Sequence, residues 1–530
     1  MRRTPFLRAG AVLLGSALLA AGCGGDSGKE ATATTSAAPA TTAGSSTTAA
    51  STATTAAAAQ PTSMDEWEAL WAKQRDAVVK RIKDNKWGKS ADGKTVTGPS
   101  GFTIDLTKCP AGWSDTEGLS DTSIKIGQAI AQSGTFADYG NIAKTMTVLF
   151  DYYSKKGTFK DSLGKTRSIN YIAKDDGYDA ARTIPIVDEL LDSDKVFAVW
   201  TLGSPNSLKT YDKLNQRCVV HPEALTAHPA WADPVNHPWT TGPMAASYAT
   251  EAILWGSFIE QHINEMPPGK FKVASLVINN DFGNVYDQGF KGFLANSPVL
   301  KDRVEYISEK IEASTPTVTD PMTTLAAQNP AVFIAMVAGT PCTQAVTEAA
   351  QNGMHEKVKY LFEPGTCAPA SFVAKEKVGG DGSAANGWWV VNPAAKDLKD
   401  PSQANDPFVK WARELLQSAG IDPNSSGSLG TGFNYGWPMV QFLQIAGQLD
   451  GGLTRTNMMI AQRAIDMTHP YLLPGVRLHM DGNKDAYFAE GAIFQKFDSA
   501  KQSYVNQGQV IDLDGKSSLC AWNQTTARCG

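Results

Sequence analysis

The stretch Asp121–Gly140, DTSIKIGQAIAQSGTFADYG, decides the fold that we predict for this chain. Its apolar run at 124–130 has little polar interruption, which is typical of a strand buried on both faces. The run ends at Ser133 and Gly134 in a turn-forming cluster, and a helical pattern follows. In open α/β sheets such loops lie at the carboxyl edge, where backbone N–H groups and hydroxyls bind ligands. The stretch therefore predicts the first strand and first binding loop of a ligand-binding lobe.

Strands and helices alternate after this stretch in two successive series. The first series has helices at 141–156, 179–193 and 205–215 and strands at 168–174, 196–202 and 217–221. After a long helix at 244–265, the second series has strands at 272–279, 303–310, 331–338 and 358–363, with helices at 284–296, 317–328, 342–354 and 369–376. Such alternation with buried Val/Ile runs predicts two α/β lobes, each with a doubly wound parallel sheet.

The remaining pattern predicts a return to the first lobe. It comprises a strand at 387–392, helices at 405–419, 435–450 and 455–467, and strands at 476–480, 486–497 and 503–511. We expect the chain to end by crossing between the lobes, so that several strands form a hinge. A cleft between hinged lobes closes around a ligand.

The N-terminal residues predict an exported lipoprotein. Two arginines precede an apolar run at 6–21 that is too short to span a bilayer, and small residues come directly before Cys23. We interpret 1–22 as a lipoprotein signal peptide and Cys23 as the lipidated residue. The alternative is an ordinary cleaved secretory signal with a chance cysteine. Residues 24–62 are nearly all Ala, Thr, Ser and Gly, which predicts a disordered tether, either a plain spacer or an O-glycosylation substrate.

An N-terminal extension is predicted between the tether and the first lobe. Ser63 and Glu66 make a capping-box pattern ahead of an amphipathic helix that ends near Lys86. Residues 87–120 carry scattered Gly, Pro and Asp and are predicted to be loop-like.

Six cysteines follow Cys23, and an even number in an exported chain favours disulfides. About 15 connectivities are possible, and sequence alone does not resolve them. We expect Cys520 to pair locally with Cys529, and Cys342 with Cys367 because each follows a predicted strand. Cys109 and Cys218 are then left to each other. Metal binding is the weaker interpretation, since the chain has no CxxC motif.

Composition and missing motifs exclude several function classes. A formal net charge of −5 over 530 residues, without a Lys/Arg run, argues against a nucleic-acid partner. The sequence has no G-x-S-x-G, no H-E-x-x-H and no P-loop, so we expect no enzyme, no cofactor and no metal site. The tripeptide Asp281-Phe282-Gly283 coincides with a kinase motif, but no phosphate loop accompanies it.

The chain resembles the type I periplasmic solute-binding proteins, in particular the branched-chain amino-acid (Leu/Ile/Val-binding) group that delivers solutes to ABC importers. The resemblance covers about residues 121–511. It rests on IKIGQAIAQSG with TFADYG, AKDDGYDAARTIPIVDELL, VFAVWTLGSPNS, VASLVINNDFGNVYDQGFKGF, VFIAMVAGTPCTQAVTEAAQNGM and YLFEPGTC, in the family's order.

The resemblance implies which loops hold the solute between the lobes. It assigns solute contacts to Ser133, Thr135, Phe136, Tyr139, Gly203, Ser204, Ala224, Thr226, Phe282, Thr340 and Glu363. Ser204 would hold a ligand carboxylate and Glu363 a ligand ammonium. Two positions depart from the family pattern. Glu223 stands where glycine is usual, and Phe282 stands where tyrosine is common, so the solute is not expected to be a simple branched-chain amino acid.

These observations predict a lipid-anchored, extracytoplasmic receptor that passes a small solute, an amino acid or related carboxylate or amide, to ABC permease subunits. The expected organisation is a signal peptide (1–22), lipidated cysteine and tether (23–62), extension (63–120), lobe 1 (121–243 plus 387–480), lobe 2 (244–386 plus 481–511) and a C-terminal tail (512–530). Two alternatives stay open: a sensor that signals to a partner protein, and a secreted lipid-anchored hydrolase.

Overall fold

A computed structural model describes residues 60–529 of the chain. The predicted signal peptide, the lipidated Cys23 and almost all of the tether lie outside the described residues. Among the described helices, none combines the length and apolar character needed to cross a membrane.

The helices and strands follow the predicted alternation. The helices are α1 (Met64–Asp84), α2 (Gly140–Lys155), α3 (Ala180–Asp192), α4 (Ser204–Leu208), α5 (Tyr211–Gln216), α6 (Tyr248–Gln261), α7 (Asp281–Asn296), α8 (Thr319–Ala327), α9 (Thr340–Gln351), α10 (Met354–Lys357), α11 (Lys375–Val378), α12 (Pro407–Ser418), α13 (Ser428–Gln448) and α14 (Arg455–Arg463). The strands are β1 (Gly88–Lys89), β2 (Thr95–Thr97), β3 (Thr103–Asp105), β4 (Ser123–Ile130), β5 (Phe159–Lys160), β6 (Thr166–Asp175), β7 (Ala198–Thr201), β8 (Phe271–Ile278), β9 (Val304–Ile311), β10 (Val332–Met336), β11 (Tyr360–Glu363), β12 (Trp389–Asn392), β13 (Asp466–Met467), β14 (Leu478–His479), β15 (Gly491–Asp498), β16 (Ser503–Asn506), β17 (Ile511–Asp512), β18 (Trp522–Asn523) and β19 (Arg528–Cys529).

The smaller main sheet has the order β5-β6-β4-β7, with β4 parallel to both β6 and β7. Strand β4 is the predicted first strand, and its apolar residues are buried because helices cover both faces of the sheet. On one face α3 approaches so closely that a Cβ on Gly127 would lie 2.8 Å from Leu190 Cδ2. The α/β prediction with doubly wound parallel sheets is confirmed here.

The larger sheet has the order β16-β15-β12-β11-β10-β8-β9, and β17 pairs with β15. Strands β8 to β12 are parallel, whereas β15 runs antiparallel to its neighbours. Strand β12 pairs with β11, so residues 389–392 belong to this sheet and not, as expected, with lobe 1. The other lobe boundaries stay a prediction.

Three further expectations were wrong in detail. Residues 87–120 are not all loop, because β1, β2 and β3 form a small antiparallel sheet. The predicted strand 217–221 is reduced to isolated bridges, since Cys218 has a φ of 52° that interrupts extended backbone. The predicted helix 369–376 is replaced by a 3₁₀ turn at Ala370–Phe372 and by α11.

The N-terminal helix α1 begins at the predicted cap and packs on the main body. The Ser63 side chain accepts a hydrogen bond from the Glu66 N–H, while the Glu66 carboxylate bonds Thr62 instead of closing the capping box. Trp71 is fully buried, with its ring centroid 4.9 Å from that of Trp437 on α13. The extension is therefore part of the folded body.

The three expected disulfides are confirmed. Cys109 is bonded to Cys218, Cys342 to Cys367, and Cys520 to Cys529. The first ties the extension to the end of α5, the second ties the start of α9 to the loop after β11, and the third closes the C-terminal hairpin of β18 and β19.

Candidate functional site

A cavity of about 190 Å³ lies where the carboxyl ends of the two parallel sheets face each other. Loops after β7, β10 and β11 contribute Gly203, Ala338 and Gly365 to its wall. This is the position at which open α/β sheets bind ligands. Six aromatic rings line it: Tyr139, Tyr178, Tyr248, Phe282, Tyr435 and Tyr471.

Four of the predicted contact residues line this cavity: Tyr139, Gly203, Thr226 and Phe282. Gly203 has a φ of 92°, and a Cβ there would lie 2.4 Å from Tyr178 Cε2. Glycine is therefore required for the Tyr178 ring to reach the wall. Phe282 packs edge-to-face on Tyr248 at a centroid distance of 4.9 Å.

Two predicted residues lie just behind the wall. Ser204 is fully buried, and its Oγ is 2.7 Å from the Oγ1 of Thr226, so the two hydroxyls share one hydrogen bond. Ala224 is buried in a cluster with Trp231 and does not line the cavity. Thr226 is thus the hydroxyl of this loop that reaches the solute space.

The predicted loop after β4 lies at the rim between the lobes. Thr135 Oγ1 donates a hydrogen bond of 2.9 Å to the Ala313 carbonyl, and Thr340 Oγ1 donates one of 2.9 Å to the Thr135 carbonyl. The Gly339 N–H donates to Tyr139 Oη at 3.1 Å. These three bonds connect loops of the two sheets directly, so Thr135 and Thr340 hold the lobes together and do not line the cavity.

The other two residues of that loop also lie outside the cavity wall. Phe136 is buried and stacks on Tyr178 with centroids 3.9 Å apart and an interplanar angle of 14°, which supports the Tyr178 ring from behind. Ser133 is exposed.

Glu363, expected to pair with a ligand ammonium, does not reach the cavity. It is fully buried at the end of β11, and its Oε2 accepts a hydrogen bond of 3.3 Å from the Tyr504 hydroxyl. Burial raises its pKa well above the ordinary value, because the charged form loses its hydration. A neutral carboxylic acid at this position is not the ionised carboxylate with which a ligand ammonium group pairs.

Sequence reasoning missed the acidic residue that does line the cavity, Glu251 on α6. Its Oε1 accepts a hydrogen bond of 2.6 Å from the Gly365 N–H, and its Oε2 is 2.5 Å from the Tyr286 hydroxyl. Burial raises the pKa of Glu251 to about 8, although both hydrogen bonds act in the opposite direction. Both oxygens are thus engaged within the protein, and the group is mostly neutral at pH 7.

Glu223 lies fully buried behind the wall and does not line the cavity. Its φ is 42°, and both carboxylate oxygens lack a hydrogen-bond partner among the described residues. Burial raises its pKa well above the ordinary value. The acidic side chain therefore does not repel an anionic solute directly.

The charge of the cavity wall is largely neutralised by the protein itself. Among the described residues that line it, Lys396 is the one lysine or arginine. Its ammonium group lies 2.6 Å from both Asp406 Oδ2 and the Pro470 carbonyl. Asp397 accepts hydrogen bonds from the N–H groups of Ala370 and Lys399. These charged groups are therefore already bonded within the protein. The rest of the wall is largely apolar and aromatic, and few of its polar atoms are left for a solute.

One of those free polar atoms is the side-chain carbonyl of Asn434. This residue lines the cavity from α13, and its Oδ1 is buried without a hydrogen-bond partner in the described part of the chain. An unpartnered buried acceptor costs about 1–3 kcal/mol, so a solute donor placed there gains that amount.

The chain matches one family of known proteins over most of its length. The profile of a family described as periplasmic binding protein matches residues 123–462, more than half of the chain. No curated protein matches this chain.

Similar solved structures include three proteins of ABC transporters. A branched-chain amino acid ABC transporter protein from Thermus thermophilus with bound valine is 14% identical, with a TM-score of 0.62, over 74% of this chain and 97% of that one. A fatty acid ABC transporter substrate-binding protein from Thermomonospora curvata is 17% identical, with a TM-score of 0.60, over 77% and 98%. A solute binding protein of an ABC transporter from Rhodopseudomonas palustris BisB5, in complex with 3,4-dihydroxybenzoic acid, is 18% identical, with a TM-score of 0.59, over 75% and 100%.

Proposed function

Because this chain belongs to the periplasmic binding protein family, we propose that it is the solute receptor of an ABC importer, held on the extracytoplasmic face of the membrane by a lipid on Cys23. The two lobes capture a small solute by hinge closure and present it to the permease, and no chemistry is performed on the solute. The observation that carries this proposal is the aromatic cavity between the two sheets. The small residues before Cys23 and the tether after it support the anchor.

The size of the cavity supports a small solute. An engineered cavity of about 150 Å³ accommodates benzene. The volume of about 190 Å³ here suits a ring or branched chain that carries one small polar group. Burying a Leu-sized group contributes about 1.5–3 kcal/mol.

The chemistry of the wall favours a small carboxylate or amide with an apolar or aromatic body over a branched-chain amino acid. Glu363 does not line the cavity. The two carboxylates of the described wall, Glu251 and Asp397, have both oxygens engaged by protein donors, so neither is free to pair with an ammonium group. Asn434 and Thr226 are available instead for a hydroxyl, an amide or a carboxyl group.

Calorimetric titration of the purified full-length protein tests this proposal. The probes are 4-hydroxybenzoate, octanoate and L-valine. We expect one of the first two to bind at one site per chain, and more tightly than valine. The substitution Ala245→Trp fills the cavity from a half-buried wall position and should abolish binding.

The matched control is Ala500→Trp, which adds the same ring at an exposed position on a loop. It should leave binding unchanged. Binding that survives Ala245→Trp would contradict the assignment of the cavity. Valine binding more tightly than both other probes would contradict the solute class alone.

A further inference from the structure

Three potential metal ligands, two from the segment before β15 and one from the C-terminal tail, lie close together. They are His479 at the end of β14, Asp485 in the turn that follows, and Asp514 in the C-terminal tail. His479 Nδ1 lies 3.1 Å from Asp514 Oδ1 and 3.6 Å from Asp485 Oδ2, and all three ligand atoms lie within 4.8 Å of one another. We propose that these residues form a binding site for a Zn²⁺ ion.

The spacing of the ligand atoms fits this ion. Zinc binds histidine nitrogen and carboxylate oxygen at about 2.0–2.2 Å in tetrahedral geometry, which places neighbouring ligand atoms about 3.3 Å apart. The two measured separations of 3.1 and 3.6 Å lie on either side of that value. For these two pairs an ion needs shifts of only a few tenths of an ångström, the oxygens of Asp485 and Asp514 lie within 4.8 Å of each other, and water completes the coordination.

A buried oxygen without a partner points into the same place. Asp485 is 3% exposed, and its Oδ2 has no hydrogen-bond partner among the described residues, because His479 lies beyond hydrogen-bond distance at 3.6 Å. Neighbouring Glu490 is equally buried and also has one oxygen, Oε1, without such a partner. Burying carboxylates without compensation is costly, and a cation would remove that cost.

The donor set favours zinc over the common hard cations. Magnesium and calcium prefer sites made entirely of oxygen, whereas imidazole nitrogen suits zinc. Arg477 lies 4.0 Å from the other oxygen of Asp514 and is engaged by Asp466, so it does not occupy Oδ1, whose protein partner is His479 Nδ1 at 3.1 Å. A zinc ion would replace the proton that these two atoms share.

Another histidine of the chain has the same ligand types in an arrangement that cannot bind one ion. The two ring nitrogens of His237 face different carboxylates, with Nε2 at 2.8 Å from Asp212 and Nδ1 at 3.1 Å from Asp233. The two carboxylates therefore lie on opposite sides of the ring. One histidine and two carboxylates therefore do not suffice for a metal site unless they face a common point, and His237 provides the matched control.

The ion would connect the C-terminal tail to the segment that leads into β15. Asp514 follows β17, which pairs with Gly491 and Ala492 at the start of β15, and these two residues line the solute cavity. Binding of Zn²⁺ by Asp514, His479 and Asp485 would fix the tail against this strand. We therefore expect Zn²⁺ to raise the thermal stability of the protein whether or not a solute is bound.

The test is calorimetric titration of ZnCl₂ into full-length protein that carries no polyhistidine tag and has been treated with a chelator. We expect one Zn²⁺ per chain and a higher melting temperature, with no effect of MgCl₂ or CaCl₂ at equal concentration. Asp485→Asn and Asp514→Asn should each weaken Zn²⁺ binding at least tenfold, whereas His237→Gln should not.

Because Asp514 is half-exposed in the tail, its variant is expected to fold even if that of the buried Asp485 does not. The absence of saturable Zn²⁺ binding would overturn the proposal. Binding that is unchanged in the Asp514 variant, or lost in the His237 variant, would overturn it as well.

Discussion

Glu251 provides a stability test that follows directly from the packing of the cavity wall. Its folded-state pKa is raised from 4.5 to about 8 by burial between Tyr286 and Gly365. In the unfolded chain the group ionises near its ordinary pKa. Folding therefore takes up a proton between these two values, and the native state loses stability as the pH rises through that window. Glu251→Gln is neutral at every pH and does not share the loss.

The magnitude follows from the two pKa values. With 1.36 kcal/mol for each pKa unit, the cost of Glu251 to folding is about 2 kcal/mol at pH 6 and about 5 kcal/mol at pH 9. The difference in unfolding free energy between Glu251→Gln and the parent protein should thus increase in favour of the variant by about 3 kcal/mol from pH 6 to pH 9. Most of this change should occur below pH 8.

Urea unfolding followed by tryptophan fluorescence at pH 6, 7, 8 and 9 measures this difference. Glu305→Gln, at an exposed position of β9, is the control and should give a difference that does not vary with pH. A flat difference for Glu251→Gln would mean that the carboxyl group ionises normally, and it would refute the argument that this wall is desolvated.

Three further predictions concern the rim, the interior and the extension. Gly339→Ala should weaken solute binding at least tenfold in calorimetry, because its Cβ would lie 2.8 Å from the Thr135 carbonyl at a φ of 68° and would push the lobes apart. Gly292→Ala, where nothing lies within 4 Å of the new Cβ, should bind the solute normally. Glu223→Gln should be more stable than the parent at pH 8 and equal to it at pH 4 in urea unfolding. The reason is that burial raises the pKa of Glu223 in the folded protein, so the parent loses stability as the pH rises above the ordinary pKa of glutamate, at which the unfolded chain ionises. Equal stability at both pH values would contradict this. Trp71→Ala should lower the free energy of unfolding by about 3–5 kcal/mol, because it empties a fully buried site. A loss below 1 kcal/mol would mean that the extension is not part of the folded body.

The main strands were predictable because each carries its own signal. An apolar run such as β4, bounded by turn residues, is buried on both faces wherever helices cover a parallel sheet. The loops after these strands were predictable for the same reason, since parallel strands place their carboxyl ends at one edge. Tyr139, Gly203, Thr226 and Phe282 were found by their resemblance to the family's loops.

The rest of the site depends on contacts that no local pattern encodes. Thr135 and Thr340 bond across the rim only because of how the lobes meet. Helix α13 was predicted to start at 435 but begins at Ser428, and the missing segment of about two turns carries the wall residue Asn434.

The reason for that error is the glycine-rich sequence LGTGFNYG, which is typical of a loop. In the structure these glycines allow close packing of the helix. A Cβ on Gly430 would lie 1.8 Å from the Tyr471 hydroxyl, and one on Gly432 would lie 2.4 Å from Thr145 Cβ. Tertiary packing outweighs the helix propensity, which costs about 1 kcal/mol for each glycine.

We infer that the cavity between the sheets holds a small solute. Native mass spectrometry of the full-length protein and of Ala245→Trp, purified in parallel, tests it most directly. We predict a small carboxylate or amide bound at one copy per chain in the parent protein and absent from the variant. The same molecule retained at full occupancy by Ala245→Trp would contradict the claim.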